Sequence, residues 1–357
     1  MENKKFEYFA LVNRVKSPGV AKKIDNTVIA ARNIGLSANG YCYPKSLSGV
    51  NHFFKGLACS RADFIMIRYS DLVSPFVFFI MIYLRLRGVK IIIDVPTPRV
   101  VGLKEIDSAI EKKTYQIIRK IMLCMTGAWV FYPAHRIVQY ASESGWFEFG
   151  VKHKTIKIGN GILIDETIPL VQAVWPADEL KLIGVAQLAN WHGYDRLIRA
   201  LAEGNKKKLP YKVSFTIVGD GAERLVLEAL VKELSLQEQV FFTGMLVGDE
   251  LNAIFLDKHI GVASLGLYRK CLNEASDLKT REYIARGLSV IGVGNDPDFD
   301  EKSAYRFLVS NDDCISGLIE FLEGVANKAL LTPEVLREYA LLKLSLESKI
   351  KMILGGL

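Results

Sequence analysis

Short apolar runs alternate with amphipathic segments along this chain. Such alternation is typical of α/β proteins with parallel sheets, in which a helix follows each buried strand. In the first half, a helix is predicted over 19–34, entered through Ser17-Pro18-Gly19. The predicted strands of this half are 8–12, 64–68, 90–94, 136–140 and 154–158.

A second series of the same kind begins near residue 180. Its predicted strands are 180–186, 213–218, 240–243, 260–263 and 289–292. Helices are predicted at 194–202, 223–234, 248–255 and 278–286, and helical residues from about 333 to 352 end the chain. Two successive Rossmann-like halves predict an α/β protein whose two domains face each other across a cleft. Ligands are expected at the carboxyl ends of the strands.

The loose segment 165–178 contains Pro169 and Pro176 and is the predicted linker. We therefore expect a first domain over 1–168 and a second over 178–330. The terminal helices, over 331–357, could pack back on the first domain. A chain of 357 residues, 50% of them apolar, is large enough for two cores.

The composition excludes several classes of protein. The five cysteines are scattered and the five histidines form no ligand cluster, which argues against a disulfide framework or a zinc site. The first residues lack the apolar stretch of a signal peptide, so we expect a cytoplasmic protein. The apolar run 75–84 is shorter than the roughly 20 residues that span a bilayer, and a buried helix is expected there.

The net charge of +7 is unevenly distributed along the chain. Lys112, Lys113, Arg119 and Lys120 are interleaved with apolar residues, which predicts a basic amphipathic helix. Such a helix is attracted to an anionic membrane surface, and this favours a peripheral protein on the inner face of the membrane. The alternative is a core-packed helix with a solvated basic face. No nucleic-acid-binding motif accompanies the charge.

Two glutamates, Glu274 and Glu282, are separated by seven residues and followed by an apolar strand. The polar loop and helix start between them place both carboxylates on one rim, together with backbone N–H groups. Carboxylates accept hydrogen bonds from hydroxyls, and a helix N-terminus favours anionic oxygens. The spacing alone also suits two solvated glutamates flanking a helix. With the neighbouring motifs it indicates a ligand that carries both hydroxyls and phosphates, such as a nucleotide sugar.

This spacing, followed by a strand of small residues, resembles the E-x7-E signature of the family 4 retaining glycosyltransferases, which have the GT-B fold. The resemblance to their donor-binding domain extends along nearly the whole second half. It implies that Glu282 binds the ribose hydroxyls and that Glu274 contacts the donor sugar near its reacting carbon. Lys279 would bring positive charge to the diphosphate. Backbone N–H groups for phosphate are implied at Ser276, Asp277 and Leu278.

One loop departs from the family pattern. The family usually has an arginine and a lysine in the phosphate-binding loop after the first strand of this domain, and here Gln187 and His192 stand at those positions. The diphosphate would then depend more on Lys279, Arg196 and backbone N–H groups. The alternative for His192 is a loop residue that packs on Trp191.

Two further glycines belong to the implied donor site. Gly219 lies in a turn, Val218-Gly-Asp-Gly221, that resembles the family's turn near the nucleotide. Gly244 lies in a segment that resembles the one whose backbone reads the base. A plain strand-to-helix turn is the alternative for the first of them.

The first half resembles the acceptor domain more weakly. Gly19 lies where the family has a glycine loop facing the donor phosphates, and a side chain there would block backbone approach. Arg68 and Asp94 follow strand ends, so Arg68 is expected on the acceptor side and Asp94 beside a sugar, unless they form only a structural pair. Asn160 matches the family's Asn-Gly turn and is expected beside the cleft on the acceptor side.

The resemblance includes a subgroup of transferases of bacterial capsule, exopolysaccharide and O-antigen. It implies transfer of a sugar from a nucleoside diphosphate to a hydroxyl of a glycan acceptor, with retention at the anomeric carbon. The basic face suggests an acceptor on a membrane, such as a polyprenyl-diphosphate-linked oligosaccharide. Glu274, Lys279 and Asp94 are the implied catalytic residues, acting by positioning and charge stabilisation. No cofactor and no metal are expected, since Asp296-Pro-Asp298 more simply caps a turn.

Other functions stay open. The replacement of the usual arginine and lysine suits a degenerate transferase that acts as a scaffold or binding subunit of a polysaccharide assembly complex. A GT-B nucleotide-sugar epimerase or a glycogen-synthase-like enzyme is a further alternative. An epimerase needs its own acid and base carboxylates, which the sequence does not identify.

Overall fold

The computed structural model describes residues 4–71, 73–108, 113–165, 167–173, 175, 178–300, 303–328 and 330–357. The chain divides into two compact units: unit 1 contains Met1–Gly159 and Leu346–Leu357, and unit 2 contains Asn160–Ser345. Within the described residues, no helix is long and apolar enough to cross a bilayer.

Unit 1 is built on a six-stranded parallel sheet covered by helices. Its strands are β1 Lys5–Leu11, β2 Ser37–Tyr43, β3 Phe64–Arg68, β4 Lys90–Val95, β5 Arg136–Gln139 and β6 Thr155–Lys157, in the order β2-β1-β3-β4-β5-β6. Its helices are α1 Pro18–Asn33, α2 Leu47–Cys59, α3 Ser74–Leu86, α4 Arg99–Ser108, α5 Lys113–Thr126, α6 Gly145–Glu148 and the C-terminal helix Leu346–Leu354. That last helix packs on α1.

Unit 2 repeats the design. Its strands are β7 Glu179–Val185, β8 Lys212–Val218, β9 Val240–Gly244, β10 Ile260–Val262, β11 Ser289–Gly292 and β12 Arg306–Leu308, in the order β12-β11-β10-β7-β8-β9. Its helices are α7 Tyr194–Lys206, α8 Arg224–Glu233, α9 Gly248–Phe255, α10 Leu278–Ala285, α11 Ser316–Gly324 and α12 Pro333–Tyr339, and the helix at Leu346–Leu354 is therefore α13. The predicted α/β class with two Rossmann-like halves is confirmed.

The elements that the apolar pattern missed lie at sheet edges or on the surface. β2 has the sequence Ser-Ala-Asn-Gly-Tyr-Cys-Tyr, without a continuous apolar run. It is an edge strand that pairs with β1 alone, so it does not need the two buried faces that make central strands apolar. β12, of three residues, is an edge strand of the other sheet.

The boundary between the units falls before the loose segment in which composition places the linker. Backbone hydrogen bonds tie that segment to unit 2: the amide of Val171 donates to the Arg286 carbonyl (2.9 Å) and that of Gln172 to the Leu256 carbonyl (2.8 Å). Ile162 pairs with Ser345 in a parallel bridge. Because the backbone partners of this segment lie in unit 2, the segment is part of that unit.

The apolar run 75–84 forms a helix, α3, but the expectation that it is buried is wrong. Val77 and Met81 face the core, whereas Phe76, Phe79 and Tyr83 are exposed. The basic helix is also present as α5, and its apolar side chains Ile117, Ile118 and Ile121 are exposed rather than core-packed. Lys112 lies outside the described residues.

A buried arginine joins three surface elements of unit 1. Nε of Arg99 donates to Glu143 (3.1 Å), and its Nη atoms donate to the carbonyls of Gly127 (2.5 Å) and Phe147. Both partners of this ion pair are almost completely buried. The start of α4 is thereby fixed to the turn after α5 and to α6.

We expect Arg99→Met to lower the free energy of unfolding by about 3–5 kcal/mol, because it leaves the Glu143 carboxylate buried without its cation. The matched control is Arg14→Met, which breaks the solvent-exposed pair with Asp25 and should cost at most about 1 kcal/mol. Urea-induced unfolding measures both, and equal losses would contradict the role given to Arg99.

Candidate functional site

The loops at the carboxyl edge of the unit 2 sheet are tied into one surface. The amide of Leu188, after β7, donates to the Asp220 carbonyl after β8 (2.7 Å). The amide of Gly219 donates to the Gly244 carbonyl at the end of β9 (2.7 Å). Three of the expected site positions, Gln187, Gly219 and Gly244, therefore lie beside one another, and the side chain of Gln187 is exposed.

Gly219 is required by its conformation and by its neighbours. Its φ of 123° lies in the region that favours glycine, and a Cβ there would stand 1.9 Å from the Ala186 carbonyl oxygen. Gly221 faces the Leu188 carbonyl oxygen in the same way, at 2.2 Å. The turn after β8 can lie close to the loop after β7 only because both positions lack a side chain.

His192 is held in one tautomer at this edge. Its Nδ1 accepts the amide of Ala189 (3.1 Å), so the proton of the neutral ring is on Nε2. Burial lowers the pKa of His192 to about 4, and the nearby charge of Lys279 acts in the same direction. Nε2 is therefore a neutral hydrogen-bond donor at neutral pH. His192 also lies near Trp191, with ring centroids 5.8 Å apart, as the alternative interpretation expects.

Lys279 brings a buried positive charge to the start of α10. Its Nζ atom is buried and has no hydrogen-bond partner among the described residues, and it lies 5.6 Å from the centre of the Tyr194 ring. Burial lowers the pKa of Lys279 to about 8, against the attraction of the Asp277 carboxylate. An ammonium in such a position lacks the oxygen that would normally compensate its desolvation.

Asp277 begins the same helix. Its carboxylate accepts the amide of Thr280 (3.2 Å) and caps α10. Burial alone would raise the pKa of Asp277, but Lys279, the cap hydrogen bond and Arg281 hold it below its ordinary value. The next residue, Leu278, is the first of the helix and its side chain is half exposed.

The two glutamates lie on either side of the α10 start. Glu274 is half-buried in an extended segment that bridges to Asn295, and the amide of Ala275 donates to the Asn295 carbonyl (3.0 Å). Glu282 lies one turn into α10 and is exposed. The predicted loop and helix between the two glutamates are therefore present.

Asn160 supports the loop before α10. Its amide donates to Oγ of Ser276 (2.6 Å) and its side-chain Nδ2 donates to the Ser276 carbonyl (2.7 Å). Arg281 donates to the Asn160 carbonyl (3.0 Å). The structure thus places Asn160, expected on the acceptor side, in unit 2, where it fixes the position of Ser276.

The guanidinium of Arg196 binds backbone carbonyls, whereas a contact with the diphosphate was expected. Its side chain is buried, and its Nη atoms donate to the carbonyls of Leu265, Ser310 (3.1 Å) and Cys314. These bonds join α7 to the loops after β10 and β12. The phosphate contact expected of Arg196 has no support in this arrangement, since backbone oxygens already use the guanidinium.

Asp296 and Asp298 both bind Arg281, Asp296 through both its oxygens and Asp298 at 2.6 Å. The amide of Asp298 also donates to the Asp296 carboxylate (3.1 Å), so the pair caps a turn as predicted. In the part of the chain that the structure describes, no group of three or more His, Cys, Asp or Glu side chains could hold a metal ion.

In unit 1, Asp94 is fully buried at the end of β4. Its carboxylate accepts hydrogen bonds from the Tyr8 hydroxyl and from Nη1 of Arg68 (2.9 Å). Burial alone would raise the pKa of Asp94, but Lys23 and Arg68 hold it below its ordinary value. These contacts fit the alternative, a structural pair at the sheet edge, whereas the contact of Asp94 with a sugar stays a prediction.

Arg68 is the member of that pair that reaches a cavity. The cavity, of about 840 Å³, lies at the carboxyl edge of the unit 1 sheet. Five basic residues contribute to its lining, namely Lys16, Lys45, Arg68, Arg99 and Arg119. Gly19 lies in the first turn of α1, between the lining residues Ser17 and Val20 in the sequence. A Cβ at Gly19 would meet no atom within 4 Å.

Sequence reasoning missed the residues that hold the site together. Arg281 makes bonds to acids 15 and 17 positions away, and the Tyr194 ring lies near both the His192 ring and Nζ of Lys279. Gly193, with φ 64°, packs against the Gly266 amide, where a Cβ would stand 2.6 Å away. Only Gly193 carries a signal in the sequence, as a glycine directly before a predicted helix.

The fold defined by these two units is GT-B, with two Rossmann-like domains. Residues 170–295 match the family model "Glycosyl transferases group 1". This span contains β7 to β11 and every candidate residue of unit 2 except Asn160. No curated protein matches the chain significantly.

Several solved structures share the fold over the whole chain. HepE of Anabaena, solved in complex with UDP, matches with a TM-score of 0.62 at 15% identity, covering 99% of this chain and 100% of that one. The lipopolysaccharide outer core galactosyltransferase WaaB matches with a TM-score of 0.60 at 11% identity, covering 99% and 100%. Sucrose-phosphate synthase of Thermosynechococcus elongatus matches with a TM-score of 0.58 at 14% identity, covering 98% of each chain.

We expect Gly219→Ala to destabilise unit 2 by about 2 kcal/mol or more, because the new Cβ meets a backbone oxygen and the residue keeps a strained φ. Gly324→Ala is the matched control, since a Cβ at the end of α11 would meet no atom within 4 Å. Thermal unfolding of both variants measures the difference. A Gly219 variant as stable as the control would refute the close packing of the two loops.

Proposed function

We propose that this protein is a retaining glycosyltransferase of the family 4 type, which moves a sugar from a nucleoside diphosphate to a hydroxyl of a glycan acceptor. The match to the group 1 glycosyl transferase model and the GT-B fold support a glycosyltransferase. The lipopolysaccharide transferases WaaB and WaaG among the similar structures support a place in bacterial surface polysaccharide synthesis, with capsule and O-antigen as the candidate products.

The observation that carries the proposal is the buried ammonium of Lys279. It lies in the first turn of α10, and the rings of His192 and Tyr194 lie near each other while Nζ of Lys279 lies near that of Tyr194. A diphosphate at this position would supply the oxygens that the ammonium lacks, and Nε2 of His192 is a further donor near Tyr194. Glu282 would accept hydrogen bonds from the ribose hydroxyls, and Glu274 would contact the donor sugar. HepE, of the same fold, has been solved with UDP, which supports a nucleoside diphosphate donor here.

Catalysis would depend on positioning and on charge stabilisation. Lys279, the first turn of α10 and His192 would stabilise the negative charge that develops on the leaving diphosphate. The leaving phosphate would take the proton of the acceptor hydroxyl, so neither a metal nor a cofactor is needed in this scheme. Asp94 is not part of this scheme because its carboxylate is already bound inside unit 1.

The cavity of unit 1 is the candidate acceptor site. Its five basic residues, of which the three arginines also pair with acids, suit an acceptor with a phosphate or diphosphate group, such as a polyprenyl-diphosphate-linked glycan. We further propose that the enzyme works in the cytoplasm on the inner face of the membrane, with Lys113 and Lys120 of α5 facing anionic lipid. Arg119, expected in that set, instead pairs with Asp71 (2.8 Å) at the cavity.

A second candidate is a degenerate transferase that serves as a scaffold. The neutral His192 and the exposed Gln187 favour it, because they replace two permanent cations of the family pattern near the diphosphate. Hydrolysis of the donor in the absence of acceptor separates the two candidates. A transferase should release free sugar slowly, whereas a scaffold should bind the nucleotide without turnover.

We expect one of UDP, GDP, ADP and dTDP to bind the parent protein and Glu282→Ala to bind it at least about tenfold more weakly, because a charge-assisted hydrogen bond is lost. Isothermal calorimetry measures both affinities. The matched control is Glu238→Ala, an exposed glutamate that precedes β9 at the opposite edge of the sheet. Absence of binding to all four nucleotides, or equal binding by both variants, would argue against the donor site.

We expect nucleoside diphosphate affinity to fall by about tenfold as the pH rises through about 8, because Lys279 loses its proton there. The charged form of Lys279 predominates below that pH and the neutral form above it. The second pKa of a phosphate group is about 6, so the phosphate does not titrate in this range.

The variant Lys279→Gln should bind the nucleotide weakly at every pH and lose this pH dependence, whereas Lys212→Gln, at the other edge of the sheet, should keep it. A parent profile that is flat up to about pH 9.5 would contradict the role of Lys279.

A further inference from the structure

The loop after β10 is fixed to the loop after β7 and to the start of α7. The amide of Leu265 donates to the His192 carbonyl (2.8 Å). Both Nη atoms of Arg269 donate to the Asp195 carboxylate (2.8 and 2.7 Å), and Nη1 also donates to the Asn190 carbonyl (2.7 Å). Because this ion pair is bidentate and mostly buried, the backbone next to Arg269 has a defined position at the carboxyl edge of the unit 2 sheet.

The residue after Arg269 is Lys270, whose ammonium lies over an indole ring. Nζ of Lys270 is 3.6 Å from the centre of the Trp191 ring, and Lys270 is exposed. A cation at this distance from an indole face is attracted by the ring, which restrains a side chain that is otherwise flexible. The contact with Trp191 therefore sets the position of the Lys270 charge.

The charge of Lys270 lies near the donor side of the unit. Trp191 is directly followed by His192, and the two rings lie 5.8 Å apart. Burial lowers the pKa of His192 most, and the positive charges of Lys279 and Lys270 act in the same direction. Two ammonium groups, one on the loop after β10 and one in the first turn of α10, therefore lie near one neutral imidazole.

Three guanidinium groups near this site are already bound. Arg196 donates to backbone carbonyls, and Arg269 and Arg281 bind aspartates. Their charges are compensated within the unit. In the part of the chain that the structure describes, neither Lys270 nor Lys279 donates a hydrogen bond to an oxygen. An anion at this edge of the sheet would therefore meet the two ammonium groups rather than the guanidinium groups.

We propose that Lys270 is a second cation of the donor site, which contacts the diphosphate together with Lys279, and that Trp191 positions its ammonium. The inference rests on the proposed function and adds a residue to the same site. A cation–π contact at an exposed position is weaker than a charge-assisted hydrogen bond to a phosphate oxygen, so the ligand can draw the ammonium toward itself. The loop after β10 then supplies the positive charge that Gln187 and His192 lack.

Isothermal calorimetry tests this inference with the nucleoside diphosphate, among UDP, GDP, ADP and dTDP, that binds the parent protein, and with the corresponding nucleoside. Lys270→Gln should bind the diphosphate about three- to tenfold more weakly, between the effects of losing an exposed ion pair and a buried charge-assisted hydrogen bond. Its affinity for the nucleoside, which has no phosphate, should stay within about twofold of the parent value. Lys270→Arg should keep most of the diphosphate affinity, since it retains the charge. In a Trp191→Leu background, Lys270→Gln should have little further effect, because the ammonium is no longer positioned.

The matched control is Lys328→Gln, which removes the same charge and the same kind of contact at the opposite edge of the sheet. Lys328 is exposed, and its Nζ lies 4.9 Å from the centre of the Phe307 ring. Its amide donates to the Val325 carbonyl (3.1 Å), which also accepts Nε1 of Trp175 (3.1 Å). The Trp175 ring packs on His259, directly before β10, so this lysine belongs to the amino edge. The control should bind both ligands like the parent.

The outcomes separate this inference from the proposed function. A parent protein that binds none of the four nucleotides would refute both. If the parent binds one of them and Glu282→Ala loses it, the donor site holds, and parent-like diphosphate binding by Lys270→Gln then overturns this inference alone. An equal loss of diphosphate and nucleoside affinity in Lys270→Gln also overturns it, because a displaced loop would affect both ligands. So does an equal loss in Lys328→Gln, because net charge would then explain the effect.

Discussion

The loops at the carboxyl edge of the unit 2 sheet depend on one buried guanidinium. Arg281 binds Asp296 and Asp298 and donates to the backbone carbonyls of Asn160 and Asp277. The two carboxylates and two carbonyls hold together the first residues of unit 2, the turn before α10 and the loop after β11. Because the partners are acids, the pKa of Arg281 is raised even though burial acts to lower it. The charge is therefore permanent, and the loop with Ser276 is fixed by it.

That anchor explains why the neighbouring cation behaves differently. Arg281 has its acids within hydrogen-bond distance, whereas Lys279, two residues earlier, has an ammonium nitrogen without such a partner. The Asp277 carboxylate is attracted to both cations, but its hydrogen bond is to the Thr280 amide, and this bond caps the helix. Two cations of one helix, two positions apart, thus have different roles: Arg281 stabilises the fold, and the Lys279 ammonium has no hydrogen-bond partner among the described residues.

The sequence predicted the parts of this fold that depend on local pattern. Central strands such as β4 are continuous apolar runs because both faces of a parallel sheet are covered. The segment between Glu274 and Glu282 was also predictable, since Asp277 is a good N-cap and Gly287 a good helix stop. The roles of Arg196 and Asp94 were not predictable, because the sequence around a charged residue near a strand end does not show whether its side chain faces a ligand or an internal partner. Only the three-dimensional contacts of Arg196 with distant carbonyls separate the two cases.

Unit 1 departs from the usual distribution of side chains. Asp94, Arg99 and Glu143 are buried, and each has a charged partner that compensates its loss of hydration. Phe79 and Phe149 are exposed, so their transfer from water contributes little to the folding of the unit. Phe76 and Phe79 made 75–84 look like a core helix, but the composition of this run does not tell which of its side chains pack on the sheet.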